Sequence, residues 1–307
     1  MTPLRLALAY GLDMLAGDPE WFPHPVRAIG AMIEHGETLL RRWCGTPTSE
    51  ICGGAVLTAV VTAVACSMGW PSNAAWQVLL TWTTLATRNL LDEAGSVIGA
   101  LDAGDLDAAR VRLARIVGRD TGQLDESEIA RALIETLAES SCDGIVAPLF
   151  WLAVGGLPMA LAYKAVNTLD SMVGHPEPPY RYFGRVPARV DDIANFAPAR
   201  IAALAIAASA GIHGLDARRS LVVWRRDGSL HASPNAGQGE AAMAGALGVR
   251  LGGTNSYEGR PHAAPVLHVE GRAPSPADAK TAVTLVATAS ALAFGAALLM
   301  TAWRRGR

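Results

Sequence analysis

Glu135, Glu139 and Asp143 recur at intervals of four. On a helix that spacing brings three carboxylates to one side, where they repel unless a cation or a basic group lies against them. The next stretch, Gly144 to Tyr163, runs about twenty residues without a charge. Acids at the mouth of such a segment are usually there for a ligand or an ion. A solvated acidic face is the plainer alternative. Ile134, Leu137 and Ala138 argue against it, because they give the helix an apolar side to bury. Lys164, Asn167 and Asp170-Ser171 follow at three-residue spacing on one helical side. Asp191-Asp192 comes later, ahead of another apolar run. Near the N-terminus, Asp18, His24 and Arg27 share a loop in which Pro23 and Pro25 fix the histidine between them. An interfacial loop anchored by Trp21 is the alternative there; such stiffness is wasted on a spacer. Arg119-Asp120 sits in a turn. Two Gly-rich stretches hold Asn235 with Glu240, and Arg250. Gly-rich turns can cradle phosphate, but neither GxxxxGK[ST] nor GxGxxG occurs, and spacing alone reads these turns as structural.

The elements that must position these residues are helices in a bilayer. Of 307 residues, 50% are hydrophobic and 18% charged, with mean hydropathy +0.24. Soluble domains average about 25% charged. A net charge of −2 offers no basic face for nucleic acid. Cys44, Cys52, Cys66 and Cys142 show neither CxxC nor CxxH spacing, so they suggest neither a disulfide framework nor a zinc site. No cleavable signal is read at the N-terminus. Ile51 to Thr87 runs about 37 residues without a charge and is broken near Trp70-Pro71-Ser72-Asn73, which predicts a helical hairpin. Expected spans are about 51–69, 74–91, 144–166 and 281–303, with weaker ones at 4–16 and 197–212. Gly155-Gly156-Leu157-Pro158 interrupts the third and allows a re-entrant passage. Positive-inside reasoning puts Arg304, Arg305 and Arg307 in the cytoplasm. Ala28 to Arg42 reads as an amphipathic helix, Asp105 and Asp125 as helix caps, and Tyr180 to Arg189 as a basic, aromatic loop. The expected fold is all-α: one polytopic helical membrane domain over 1–307, with amphipathic helices and polar loops forming the site.

Five strings then become recognisable: GDPEWFPHPVR, GRDTGQLDESEIARALIETLAESSCDGIVAPLF, ALAYKAVNTLDSMVGH, RVDDIANFAPARI and SPNAGQGEAAMAGALGVRLGG. In this order, over about Ala9 to Gly253, they resemble the adenosylcobinamide-phosphate synthase family of cobalamin biosynthesis (CobD/CbiB). Ser140 stands where Asn is expected, and Gln238-Gly239 where Trp-Pro is more usual. The resemblance implies a multi-pass enzyme of the bacterial cytoplasmic membrane. It would join aminopropanol, usually as its O-phosphate, to the free propionate of adenosylcobyric acid through an amide, using ATP and Mg²⁺. On that reading Glu135, Glu139, Asp143, Asp170, Asp191 and Asp192 are oxygen ligands of the kind Mg²⁺ prefers. Arg27, Arg119, Lys164 and Arg250 suit phosphates. Asp18, Asp120, Asn167, Ser171, Asn235 and Glu240 complete the expected substrate and nucleotide contacts. His24 is the expected base, and Glu139 and Asp170 the most sensitive acids. Other late cobalamin-pathway membrane enzymes are expected partners, and nucleic acid is not. A corrinoid transporter, a membrane prenyl- or phosphotransferase and a pathway scaffold are the competing readings.

Overall fold

The computed structural model describes residues 1–19, 22, 24–70 and 73–306, with the side chain of Arg305 outside the description. The Trp21 anchor and the middle of the turn at Pro71-Ser72 lie outside the described residues. Helices come in the order α1 (Pro3–Ala16), α2 (Pro25–Arg41), α3 (Pro47–Met68), α4 (Ala74–Trp82), α5 (Thr87–Asp102), α6 (Leu106–Leu113), α7 (Glu126–Ser141), α8 (Ala147–Val173), α9 (Arg185–Ile212), α10 (Ala217–Asp227), α11 (Ala236–Leu247) and α12 (Pro276–Arg305). A π-helical turn, Cys142–Val146, joins α7 to α8. Strands β1 (Leu251–Tyr257) and β2 (Arg260–Leu267) form an antiparallel hairpin with an irregular register between Leu251 and Gly253. Four stretches are long and apolar enough to cross a bilayer: Pro47–Met68, Glu126–Val173, Arg185–Ile212 and Pro276–Arg304. The chain is a helical membrane protein.

Residues group into two compact units. The first holds Met1–Ala86, Ala147–Asn195 and Phe294–Arg307; the second holds Thr87–Val146 and Phe196–Ala293. In the first, α3 and the C-terminal half of α8 pack antiparallel. A side chain on Gly69, just past α3, would run into the backbone of Pro158, and one on Gly54 into the carbonyl of Phe183, so only hydrogen fits there. The α8 break falls where Gly and Pro place it. Gly156 takes φ 71, outside the helical region, and Pro158 brings no N–H for the Val154 carbonyl. Arg304 fills that gap, its guanidinium donating to the carbonyls of Ala153, at 2.8 Å, and Val154. In the second unit, α10 packs on α11, α11 on α7, and both α7 and α11 meet the hairpin.

Four local readings change. First, α4 stops at Trp82, after nine residues, short of the expected 74–91. Thr83 and Thr84 turn their hydroxyls onto the carbonyls of Leu80 and Thr81 (2.9 and 2.7 Å), an alternative to continuing the helix. Second, only the first part of Tyr180–Arg189 is a loop, because α9 starts at Arg185. Third, Gly237 and Gly239 are not in a turn; they lie in the first turns of α11, facing the carbonyls of Gly228 and Ala138. Fourth, the hairpin went unread.

Candidate active site

The densest arrangement of charge lies in the second unit, where three pieces of chain meet at Glu135. Its helix starts at a capping box: Asp125 accepts from Glu128 N at 2.8 Å and Glu128 accepts from Asp125 N at 2.9 Å. Glu135 is 5% exposed. One carboxylate oxygen accepts from Arg119; the other accepts from Gly252 N at 2.7 Å and Arg131 Nη1 at 3.3 Å. Asn255 Oδ1 accepts from both arginines, at 2.9 and 3.0 Å. A carboxylate buried without partners is costly, and cations and donors around it offset that cost. Here two guanidiniums from the protein supply the neutralising charge that the four-residue spacing demanded.

The hairpin is fastened a second time at its tip. Asp120 accepts from Ser256 Oγ at 2.6 Å, Gly259 N at 2.8 Å and Glu258 N at 3.2 Å. These bonds, the serine's first, hold the Asp120 carboxyl below its usual value. Asp120 therefore positions the hairpin.

Around this braced centre stand Glu139, Glu240, His231 and His262. Glu240 is buried, and its carboxyl is held well above the ordinary range. Burial is the main cause; the charges of Glu139 and Glu135 add to it, and Arg119 and Arg131 oppose it. Burial likewise pushes the His231 imidazole down, opposed by Glu135 and helped by His262. His231 Nδ1 accepts from Ser233 N at 3.2 Å. Glu139 itself is exposed. Asp143 is half-buried in the π-helical turn that follows α7. Asn235 is buried and accepts from Arg200 at 3.2 Å. Arg250 is exposed, its backbone N–H bonding Arg272 O at 2.8 Å.

The first unit holds the other expected residues, in a different style. His24 caps α2, its Nδ1 accepting from Val26 N at 3.2 Å. Its Nε2 faces Asp18 Oδ1 at 3.4 Å. Arg27 donates to the carbonyl of Phe22. On α8, Ser171 Oγ donates to Asn167 O at 2.9 Å, and a carboxylate oxygen of Asp170 lies over Gly174. Lys164 is partly buried on the same helix. Asp191 and Asp192 diverge. Asp192 accepts from Arg189 at 3.3 Å, whereas buried Asp191 accepts from Asn195 at 3.0 Å, which in turn accepts from Tyr163 at 2.9 Å.

Glu139 and Asp170 thus belong to different units. Among the described residues, no group of three or more His, Cys, Asp or Glu converges as a metal site. A cation that takes one or two protein carboxylates and completes its shell with phosphate and water needs no such group. Arg131, His231, Asn255, His262 and Tyr163 were not singled out from sequence. Arg131 had a signal, four residues before Glu135. The others owe their places to the hairpin and to helix packing.

A family model described as CobD/CbiB protein matches residues 6–286. The chain belongs to the CobD/CbiB family. A cobalamin biosynthesis protein CobD of Citrobacter koseri is 43% identical over 304 residues, 95% of each chain. One from Geobacter metallireducens is 46% identical over 267 residues, 83% of each chain. The cobalamin biosynthesis protein CbiB of Salmonella typhimurium is 44% identical over 270 residues, 84% of this chain and 85% of its own. No solved structure matches the chain. Membership assigns this CobD/CbiB chain a role in cobalamin biosynthesis.

Proposed function

We propose that this chain is the amide-forming ligase of the late corrinoid pathway, acting in the bacterial cytoplasmic membrane. The free propionate of adenosylcobyric acid would be joined to (R)-1-aminopropan-2-ol or its O-phosphate, with ATP cleaved and Mg²⁺ required. The observation that carries this reading is the braced cluster at Glu135, where arginines and acids gather in one small, partly buried volume. A transporter does not need an arginine–carboxylate core fastened to a hairpin, and a scaffold does not need a carboxyl held protonated beside it.

The residues suit the chemistry. A propionate does not react with an amine in water until one of its oxygens becomes a leaving group, and ATP supplies the phosphoryl group that makes it one. The propionate oxygen bonds phosphorus and ADP leaves. The amine nitrogen then attacks the acyl carbon, phosphate leaves and one amine proton goes to a base. Mg²⁺ prefers oxygen ligands; Glu139 and Asp143 would offer them in the second unit, and Asp170, Asp191 and Asp192 are the candidate acids of the first. Arg119 and Arg131 supply fixed positive charge for developing negative charge on phosphate. Glu240, its carboxyl held well above the ordinary range by burial, would donate a hydrogen bond when protonated. Arg27, Lys164, Arg250, Asn167, Ser171 and Asn235 would contact substrates. The amine proton would go to Asp18, which faces His24 Nε2 at 3.4 Å.

The test is reconstitution of detergent-purified protein with adenosylcobyric acid, aminopropanol phosphate, ATP and Mg²⁺, read as corrinoid product mass. Omitting any one component should abolish product. Product without ATP, or none with all four present, would overturn the reading.

A further inference from the structure

In the first unit, α1 and α4 lie side by side with a groove of about 920 Å³ between them. Its walls include Leu8 of α1 and Ala75, Val78 and Leu79 of α4, and Arg5 is the one charged residue among the described ones lining it. Arg5 is half-buried, and its Nη1 donates to Gln77 Oε1 at 2.7 Å, which holds the guanidinium at the groove. We infer that this groove holds one bilayer phospholipid, its acyl chain along the apolar walls and its phosphate on Arg5.

Three observations converge on a lipid rather than another occupant. Helices of 14 and 9 residues reach only about 21 and 14 Å, against a hydrocarbon core of about 30 Å. The outward residues are those a bilayer wets: Leu4 is 70% exposed and Leu8 53%. Trp70, ahead of α4, and Trp76 on it are also exposed, and tryptophan gathers at the headgroup level. Finally, the single cation sits in the first turn of α1, among otherwise uncharged lining residues, so one wall offers both a site for a phosphate and apolar surface for a chain. The volume lies within the range of sites that enclose small molecules.

The full chain in detergent, stripped of lipid and titrated with phosphatidylglycerol or phosphatidylcholine, tests this by native mass spectrometry. Wild type should retain one phospholipid through detergent exchange, and the anionic one more strongly. Arg5→Gln should weaken phosphatidylglycerol retention about tenfold and erase the preference. Ala75→Phe, which fills the groove, should remove retention of both while the protein stays monodisperse. Inorganic phosphate at millimolar concentration should displace neither lipid. Wild type retaining no lipid, or Ala75→Phe retaining as much as wild type, would overturn the inference. So would displacement of the lipid by phosphate alone.

Discussion

The two units hold their polar residues by opposite means. In the second, charge is matched by charge: Glu135 between Arg119 and Arg131, with Asn255 bridging the arginines. In the first, ion pairs such as Arg189–Asp192 join residues of one helix, and the other expected polar groups answer helix ends and one another. His24 caps α2, Arg304 caps the broken end of α8, and Tyr163, Asn195 and Asp191 form a chain. The difference follows from what each segment has available. A loop and a hairpin can bring guanidiniums to a buried acid. A helix in a bilayer has only its own freed carbonyls and amides, unless it breaks as α8 does at Gly156. The second unit therefore suits binding charged phosphates, and the first suits fixing the direction of a few groups.

The largest effect should come from breaking the charge match. Arg119→Ala leaves Glu135 buried with half its compensation and should cost about 3–5 kcal/mol. It should also lower product formation more than a hundredfold, measured by thermal unfolding in detergent and by product mass. Arg119→Lys should keep part of the stability and little of the turnover, because an ammonium cannot bond Glu135 and Asn255 together as a fork does. Glu139→Gln sharpens the contrast. Glu139 is exposed, so product should vanish while the unfolding temperature moves by no more than a degree or two, roughly the effect of an ordinary surface change.

A smaller, signed effect is expected from Glu240. Its folded value lies above its unfolded one, about 4.3, so between the two the folded state binds more protons. This group's contribution to stability is full below the unfolded value and falls as pH rises toward the folded one. Glu240→Gln should flatten that decline in unfolding temperature with rising pH. An unchanged slope would contradict the protonated assignment.

Much of this was legible in the sequence, for identifiable reasons. The α8 break was written by Gly155-Gly156-Leu157-Pro158, and the caps at Asp105 and Asp125 by residue type. The Glu135 row announced a need for positive charge, and one of its two sources, Arg131, stood a helical turn away. The other partners, Asn255 and the Gly252 amide, arrive from more than a hundred residues downstream on a hairpin whose strands show weak alternation. Long-range pairing leaves no local signature. The short α4 was concealed by composition. Ile51 to Thr87 is uniformly uncharged, and only threonine hydroxyls bonding carbonyls end the helix.

The smallest expected effect is in the first unit. His24→Ala removes a helix cap worth about 1 kcal/mol and should lower turnover while keeping the pH–rate profile. Asp18→Asn should lose the profile's acidic limb. If His24→Ala is the variant that loses that limb, the histidine is the base and its cap bond breaks in the working enzyme.

The most direct test of the ligase reading follows one oxygen. Adenosylcobyric acid carrying ¹⁸O in its free propionate would be turned over with ATP, Mg²⁺ and aminopropanol phosphate, and the released inorganic phosphate examined by mass. Activation by phosphoryl transfer predicts one ¹⁸O in that phosphate for each amide formed. Amide formed with no label in phosphate, or with the label in AMP, would contradict it.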